Sequence, residues 1–132
     1  GMGKENAEVK LVIPGRLPNL NEIINIAKGH WGAYRELKKT ETKRVAIHAK
    51  EQKLKPVQRA DFTITWYCEH NRYDKDNVMA GQKFILDGLV QAGVLPDDRW
   101  KNIGDITHRF EVDRKNPRIE VLICPKEKEV ST

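Results

Sequence analysis

Two cysteines in 132 residues are too few to staple a fold, and Cys68 and Cys124 form no CxxC pair and match no zinc-ligand spacing. A disulfide framework and a structural zinc site are set aside. Both thiols read instead as buried free cysteines in strand-like stretches of a protein kept in a reducing, cytoplasmic compartment. No apolar run approaches the roughly 18 residues that a membrane span needs, and the N-terminus shows no apolar h-region of a secretory signal. The four histidines, at 30, 48, 70 and 108, show no pairing. Ser/His and Cys/His triad spacings are missing, and so is a glycine-rich phosphate loop; triad chemistry and an organic cofactor therefore lack support. Internal repeats, low-complexity segments and linkers are absent too. A chain of 132 residues then reads as one domain, 1–132, long enough to bury a real core.

What is present is charge. Hydrophobic residues make up 39% and charged residues 33%, which is polar for a globular protein without reaching disorder. The net charge is +5, and it is unevenly spread. From Lys28 to Arg59 ten Lys/Arg stand against three Glu, a local +7, while the remaining 14 against 16 give −2. A basic face of this kind is the electrostatic footprint of nucleic-acid binding; a solvated, lysine-rich helix face would look the same. The candidate phosphate contacts are Lys39, Lys43, Arg44 and Lys50 in this segment, with Arg72 and Lys75 beyond it.

Periodicity supplies the elements. Glu8 to Ile13 reads as a first strand, punctuated by Pro14-Gly15 and Pro18-Asn19. Leu20 to Lys28 fits a short helix or an irregular loop. Gly29 and Gly32 bracket a joint at Trp31. From about Ala33 to Lys53 a run of good helix formers predicts a long helix, with Tyr34, Leu37, Val45 and Ala49 inward and Pro56 as its terminator. Ala60 to Glu69 alternates as a strand: Phe62, Ile64, Trp66 and Cys68 on one face. Asp76 or Asn77 is a natural N-cap for a helix running to about Ala92, with Gly93 closing it. Ile106, His108, Phe110 and Val112, then Ile119, Val121 and Ile123, predict two more strands. The expected fold is α/β (α+β): a small mixed sheet of about four strands with two main helices packed on it. Residues 1–7 and 126–132 are expected to be flexible termini.

The chemistry sits in carboxylates set within this basic chain. Asp74 and Asp76 are two residues apart, and in extended geometry such side chains share a face. Two carboxylates on one face repel unless a cation lies between them, and hard oxygen donors suit Mg²⁺ or Mn²⁺. Asp97-Asp98 lies past the following helix and meets the first pair only if the chain after Gly93 doubles back. Each aspartate also has an ordinary reading as a cap or turn residue. An EF-hand is excluded: counted from Asp74, its glycine position is Met79 and its bidentate glutamate position is Ile85. Lys83 and Asp87 stand at i, i+4, either as a surface pair or with the ammonium beside a phosphate.

Taken together, Asp74-Lys75-Asp76-Asn77, Lys83-Phe84-Ile85-Leu86-Asp87-Gly88-Leu89 and Gly93-Val94-Leu95-Pro96-Asp97-Asp98 resemble the RusA family of Holliday junction resolvases. The close match covers about a quarter of the chain, and Ile13-Pro14 with Pro18-Asn19-Leu20-Asn21 loosely resembles an early family segment. The resemblance implies a prophage-type endodeoxyribonuclease that resolves four-way DNA junctions as a homodimer, with Asp74, Asp76 and Asp98 as Mg²⁺ ligands and Lys83 as a catalytic or phosphate-contacting lysine. Asp97, and less directly Asp87 and Asn77, would support that site. In a non-catalytic DNA-binding accessory protein the carboxylates would be only caps and turns, whereas a metal-dependent nuclease for other branched nucleic acids would use the same residues. One spacing departs from the family pattern. Five residues separate Asn77 from Lys83 where the compact pattern has two, and three extra helical residues turn a side chain by about 300° and advance it by roughly 4.5 Å. The helix starts a turn later, a bulge absorbs the difference, or Lys83 is not the equivalent lysine.

Overall fold

Alternation in the strands forces a sheet with one apolar face. In the central strand Phe62, Ile64 and Trp66 are buried while Asp61, Thr63, Thr65 and Tyr67 stay half exposed; Leu11 and Ile13, and Ile119, Val121 and Ile123, repeat the pattern. The architecture was obtained as a computed structural model, which describes residues 7–126. The elements run β1 (Val9–Pro14), α1 (Leu20–Gly29), α2 (Trp31–Glu51), β2 (Ala60–Cys68), α3 (Lys75–Met79), α4 (Gln82–Gln91), β3 (Ile103–Val112) and β4 (Arg118–Pro125). The sheet order is β1-β4-β2-β3, with β4 antiparallel to β1 and β2, and β3 parallel to β2. A parallel pair needs a crossover, and α3 with α4 provides it. The fold is thus a single mixed α+β domain whose four-stranded mixed sheet was expected. The expected flexible ends fall, apart from Ala7 and Lys126, outside the described residues.

The helices close the apolar face. Val45 and Ala49 of α2 and Phe84, Ile85, Leu86 and Leu89 of α4 are buried in one cluster with the sheet residues. Burying one such side chain fully contributes roughly 1.5–3 kcal/mol, so this layer carries most of the stability. Only the second half of α2 packs; Tyr34 and Leu37, expected inside, are half-buried. The helix starts at Trp31 rather than Ala33, because the His30 imidazole accepts from the Ala33 amide at 3.3 Å and caps the first turn. It stops at Glu51, where Lys53 turns into the left-handed region (φ 56°), so Pro56 is not the terminator.

Leu20 to Gly29 is a helix, fixed by a reciprocal capping box. Asn19 Oδ1 accepts from Glu22 N at 2.9 Å, and Glu22 Oε1 accepts from Asn19 N at 3.1 Å. The edge of β1 is closed by a side chain: Gln52 Oε1 accepts from Val12 N at 2.9 Å and Gln52 Nε2 donates to Val12 O at 2.8 Å. An amide thereby imitates a strand partner and blunts an open edge. Cys68 and Cys124 are free, as expected, but half-buried rather than buried. Burial raises both thiol pKa values, so neither is a ready thiolate. No helix among the described residues is long and apolar enough to cross a membrane.

Candidate active site

The carboxylate segment begins where β2 leaves the sheet. Asp74 is extended (φ −75°, ψ 134°) and is itself the N-cap of α3, without a side-chain cap bond. The caps expected at Asp76 or Asn77 are therefore two or three residues too late. Asp76 lies in the first turn of α3, where the helix dipole favours a carboxylate. The shared extended face of Asp74 and Asp76 does not form, since only Asp74 is extended, yet both are exposed at one helix start, with Asn77 half-buried behind them.

A single helix from 77 to 92 does not form either. α3 ends at Met79, and a tight joint follows: Gly81 N donates to Val78 O (3.2 Å), Lys83 N to Ala80 O (3.4 Å) and Phe84 N to Gly81 O (3.1 Å). These i→i+3 bonds mark 3₁₀-like winding. The joint rests on Trp66: a Cβ at residue 81 would sit 3.1 Å from Trp66 Cη2 and 3.0 Å from Leu17 Cβ. Glycine permits that approach.

Beyond the joint the chain does double back. Gly93 (φ 78°) ends α4, and Val94 and Leu95 bury themselves beneath it, with Val94 O accepting from Val57 N at 2.8 Å. This returns Asp98 to the helix: Lys83 Nζ lies 3.2 Å from Asp87 Oδ1 and 3.4 Å from Asp98 Oδ2. Burial pulls the Lys83 pKa down, but Asp87 and Asp98 outweigh it and hold the ammonium above the ordinary lysine value. Asp97 Oδ1 accepts from Asp98 N at 2.8 Å, and its other oxygen meets Arg99 Nε at 2.9 Å; the backbone bond first, then Arg99, keep its carboxylate pKa low.

The donor chemistry of Asp74 and Asp76, exposed carboxylate oxygens at one helix start, suits a hard divalent cation. Asp98 stands with Lys83 and Asp87. Among the described residues no three or more His, Cys, Asp or Glu side chains are gathered into a group that could hold a metal ion.

Lys39, Lys43, Lys50, Arg72 and Lys75 are exposed. Lys75 Nζ sits 5.4 Å from the centre of the Phe110 ring. Arg44 has another task. Its guanidinium donates to Pro14 O (2.6 Å), Arg16 O (3.0 Å) and Glu41 Oε1 (2.9 Å), tying α2 to the loop after β1.

Sequence reading passed over His108. Its Nδ1 accepts from the Trp66 indole N–H at 2.9 Å, which leaves the proton on Nε2 to be donated to Gln82 Oε1 at 2.8 Å. Burial lowers its pKa, and the neutral ring is the form these bonds require. The line Trp66–His108–Gln82 thus pins the first residue of α4 to the sheet, directly before Lys83. The only signal in the sequence was a histidine at an inward position of an alternating strand. In comparison with known proteins, the chain matches no family model and no curated protein.

Proposed function

We propose that the protein is a metal-dependent endodeoxyribonuclease of branched DNA, with the four-way junction as substrate and a homodimer as the working form. The observation that carries this reading is the meeting of Lys83 with Asp98 across the return loop, beside Asp87. Independent turn and cap residues would not need residues 83 and 98 to be neighbours. Asp74 and Asp76 would offer the donors for Mg²⁺, or Mn²⁺ in its place, and Asp98, which stands with Lys83 and Asp87 in this structure, would have to join them when the ion binds; such an ion would polarise a phosphoryl oxygen and lower the pKa of a bound water. Lys83 stays an ammonium at neutral pH, so its part is electrostatic: it offsets Asp87 and Asp98, which otherwise repel the phosphate, and it stabilises developing charge. Gln82, fixed by His108, keeps the start of α4 in place. Lys39, Lys43, Lys50, Arg72 and Lys75 contact backbone phosphates, which position DNA without reading sequence. A two-fold dimer matches the pseudo-symmetry of a junction.

The test is Asp76→Asn on a synthetic four-way junction. Binding should survive and Mg²⁺-dependent nicking should vanish; undiminished cleavage would remove Asp76 from the site. A second reading, a DNA-binding protein without catalysis, is favoured by one fact: Lys83 already satisfies Asp87 and Asp98 as a structural ion-pair set would. It predicts steep salt dependence and no Mg²⁺-dependent cleavage of junction, flap, linear duplex or RNA hairpin.

A further inference from the structure

We propose that the cavity beside Asp74 is a nucleobase pocket, taking one unstacked base of the bound strand while its phosphate lies toward the carboxylates of α3. The choice of ligand rests on the nuclease reading; the cavity itself does not. It encloses about 250 Å³ between the loop after β1, the end of β2, the start of β4 and α3, and its walls include Leu17, Trp66, Tyr67, Tyr73, Val78 and Ile119. Tyr73 directly precedes Asp74, and Val78 N donates to Asp74 O at 3.2 Å, so cavity wall and carboxylate belong to one turn of chain.

Three aromatic rings of the wall are each held by a neighbour, Trp66 from behind the cavity and Tyr67 and Tyr73 in part by Arg118 and Glu69, which line it. The Trp66 indole donates to His108 at 2.9 Å. Tyr67 carries the Arg118 guanidinium 3.8 Å from its ring centre, and Asp113 (2.8 Å) and Glu120 (2.7 Å) hold that guanidinium. Tyr73 stacks on His70 at 4.4 Å and donates its hydroxyl to Glu69 at 2.8 Å. Rings held this way lose little freedom when a ligand enters. The volume lies below the roughly 300–1,000 Å³ of drug-sized pockets, which favours a single ring system. Both cations around it are already matched, Arg16 in a two-point pair with Glu22 and Arg118 by its two acids, while the Glu69 carboxylate accepts from the Tyr73 hydroxyl. The walls therefore offer mainly aromatic and aliphatic surface, the kind of platform on which any base stacks. A base that leaves the stack at a branch point is the planar group a DNA-bound cavity would meet there.

The experiment uses the full chain with Ca²⁺ replacing Mg²⁺ and a four-way junction carrying one abasic nucleotide, moved through the positions around the branch. At one position the abasic site should weaken binding about 10-fold. Tyr73→Leu should weaken binding of the intact junction by a similar factor and become insensitive to the abasic site. Equal binding at every position, or sensitivity retained in folded Tyr73→Leu, overturns the proposal. A measurement on the unaltered protein covers a variant that fails to fold: the Trp66 indole N–H resonance should shift on adding the intact junction, and shift less with the abasic junction. Identical shifts also overturn it. Asp76→Asn should lose cleavage and keep the abasic sensitivity. If the unaltered protein cleaves nothing yet keeps that sensitivity, the pocket stands and the nuclease reading falls.

Discussion

Gly88→Ala sets two effects of opposite sign against each other. By helix propensity alone, Ala in the interior of α4 should stabilise the protein by about 1 kcal/mol. The packing says otherwise. A Cβ at residue 88 would lie 2.5 Å from both Cβ and Cγ1 of Val45 and 3.1 Å from the Thr42 carbonyl oxygen. Carbon atoms in contact prefer about 3.5–4.0 Å. Val45 is fully buried, and one of the two clashing atoms is its Cβ, which no side-chain rotation can move. Relief therefore needs α2 or α4 to shift as a backbone, and overpacking of that kind costs about 1–3 kcal/mol. With a displacement of about 1 Å the cost belongs near the top of that range. Net destabilisation of about 2 kcal/mol follows, equivalent to a fall in Tm of roughly 8 °C for a domain of this size. Thermal and urea unfolding followed by circular dichroism would measure it. In a Val45→Ala background the same substitution should cost less, giving a coupling energy between the two positions. An unchanged or raised Tm for Gly88→Ala would show that the helices are not in contact at this point.

Gln52→Leu should lower stability by about 1 kcal/mol and speed hydrogen exchange selectively at the Val12 amide; unaltered exchange there would mean the edge of β1 is not closed by this side chain. Arg44→Met and Lys43→Met should separate structure from binding. The first should lower Tm by a few degrees and leave the salt dependence of DNA binding unchanged, while the second should keep Tm and reduce the slope of log K against log salt by about 0.9. His108 gives a pH dependence whose sign is fixed. Its folded pKa lies below the unfolded value of about 6.5, because burial disfavours the charged ring. Its contribution is present above that unfolded value and is lost as pH falls through the lower folded one. Urea midpoints for the native protein should drop between pH 7 and pH 5 more than those of His108→Gln, and parallel drops would remove His108 as the cause.

Strand identity was legible because alternation is a two-residue code: Phe62, Ile64 and Trp66, and Ile119, Val121 and Ile123, announce their faces without reference to anything else. The helix ends were less legible because non-local or unusual features set them. Lys53 ends α2 by taking a left-handed conformation that its residue type does not advertise. His30 caps that helix although histidine is not a favoured N-cap. Arg44 looked like one more cation on a basic face, and only the fold shows that the carbonyls of Pro14 and Arg16 claim it. His108 was invisible for the same reason, since its partners Trp66 and Gln82 are 42 and 26 residues away. The candidate site divides similarly. Its residue types could be read locally, but the return of Asp98 to Lys83 depends on Val94 and Leu95 burying themselves after Gly93.

The long spacing between Asn77 and Lys83 can be followed through the same geometry. An uninterrupted helix would carry Lys83 about 300° around and roughly 4.5 Å along from the position three residues earlier. The chain instead stops α3 after five residues, winds tightly through Ala80 and Gly81 on the Trp66 ring, and begins α4 at Gln82. Lys83 is thus the second residue of a new helix, whose first residue is bonded to the sheet through His108. The five residues between Asn77 and Lys83 thus comprise the end of one helix, a tight joint and the first residue of another. The lysine is then positioned by the joint rather than by its count from Asn77. Disturbing the joint should therefore impair function without touching any acidic residue. Gly81→Ala places a methyl 3.0–3.2 Å from Leu17 and Trp66, close enough to tilt α4 and not close enough to unfold the core. On the nuclease reading it should reduce junction cleavage by about 10-fold or more, with junction affinity measured in Ca²⁺ nearly unchanged. Full cleavage by a folded Gly81→Ala protein would show that the placement of Lys83 does not matter to the reaction.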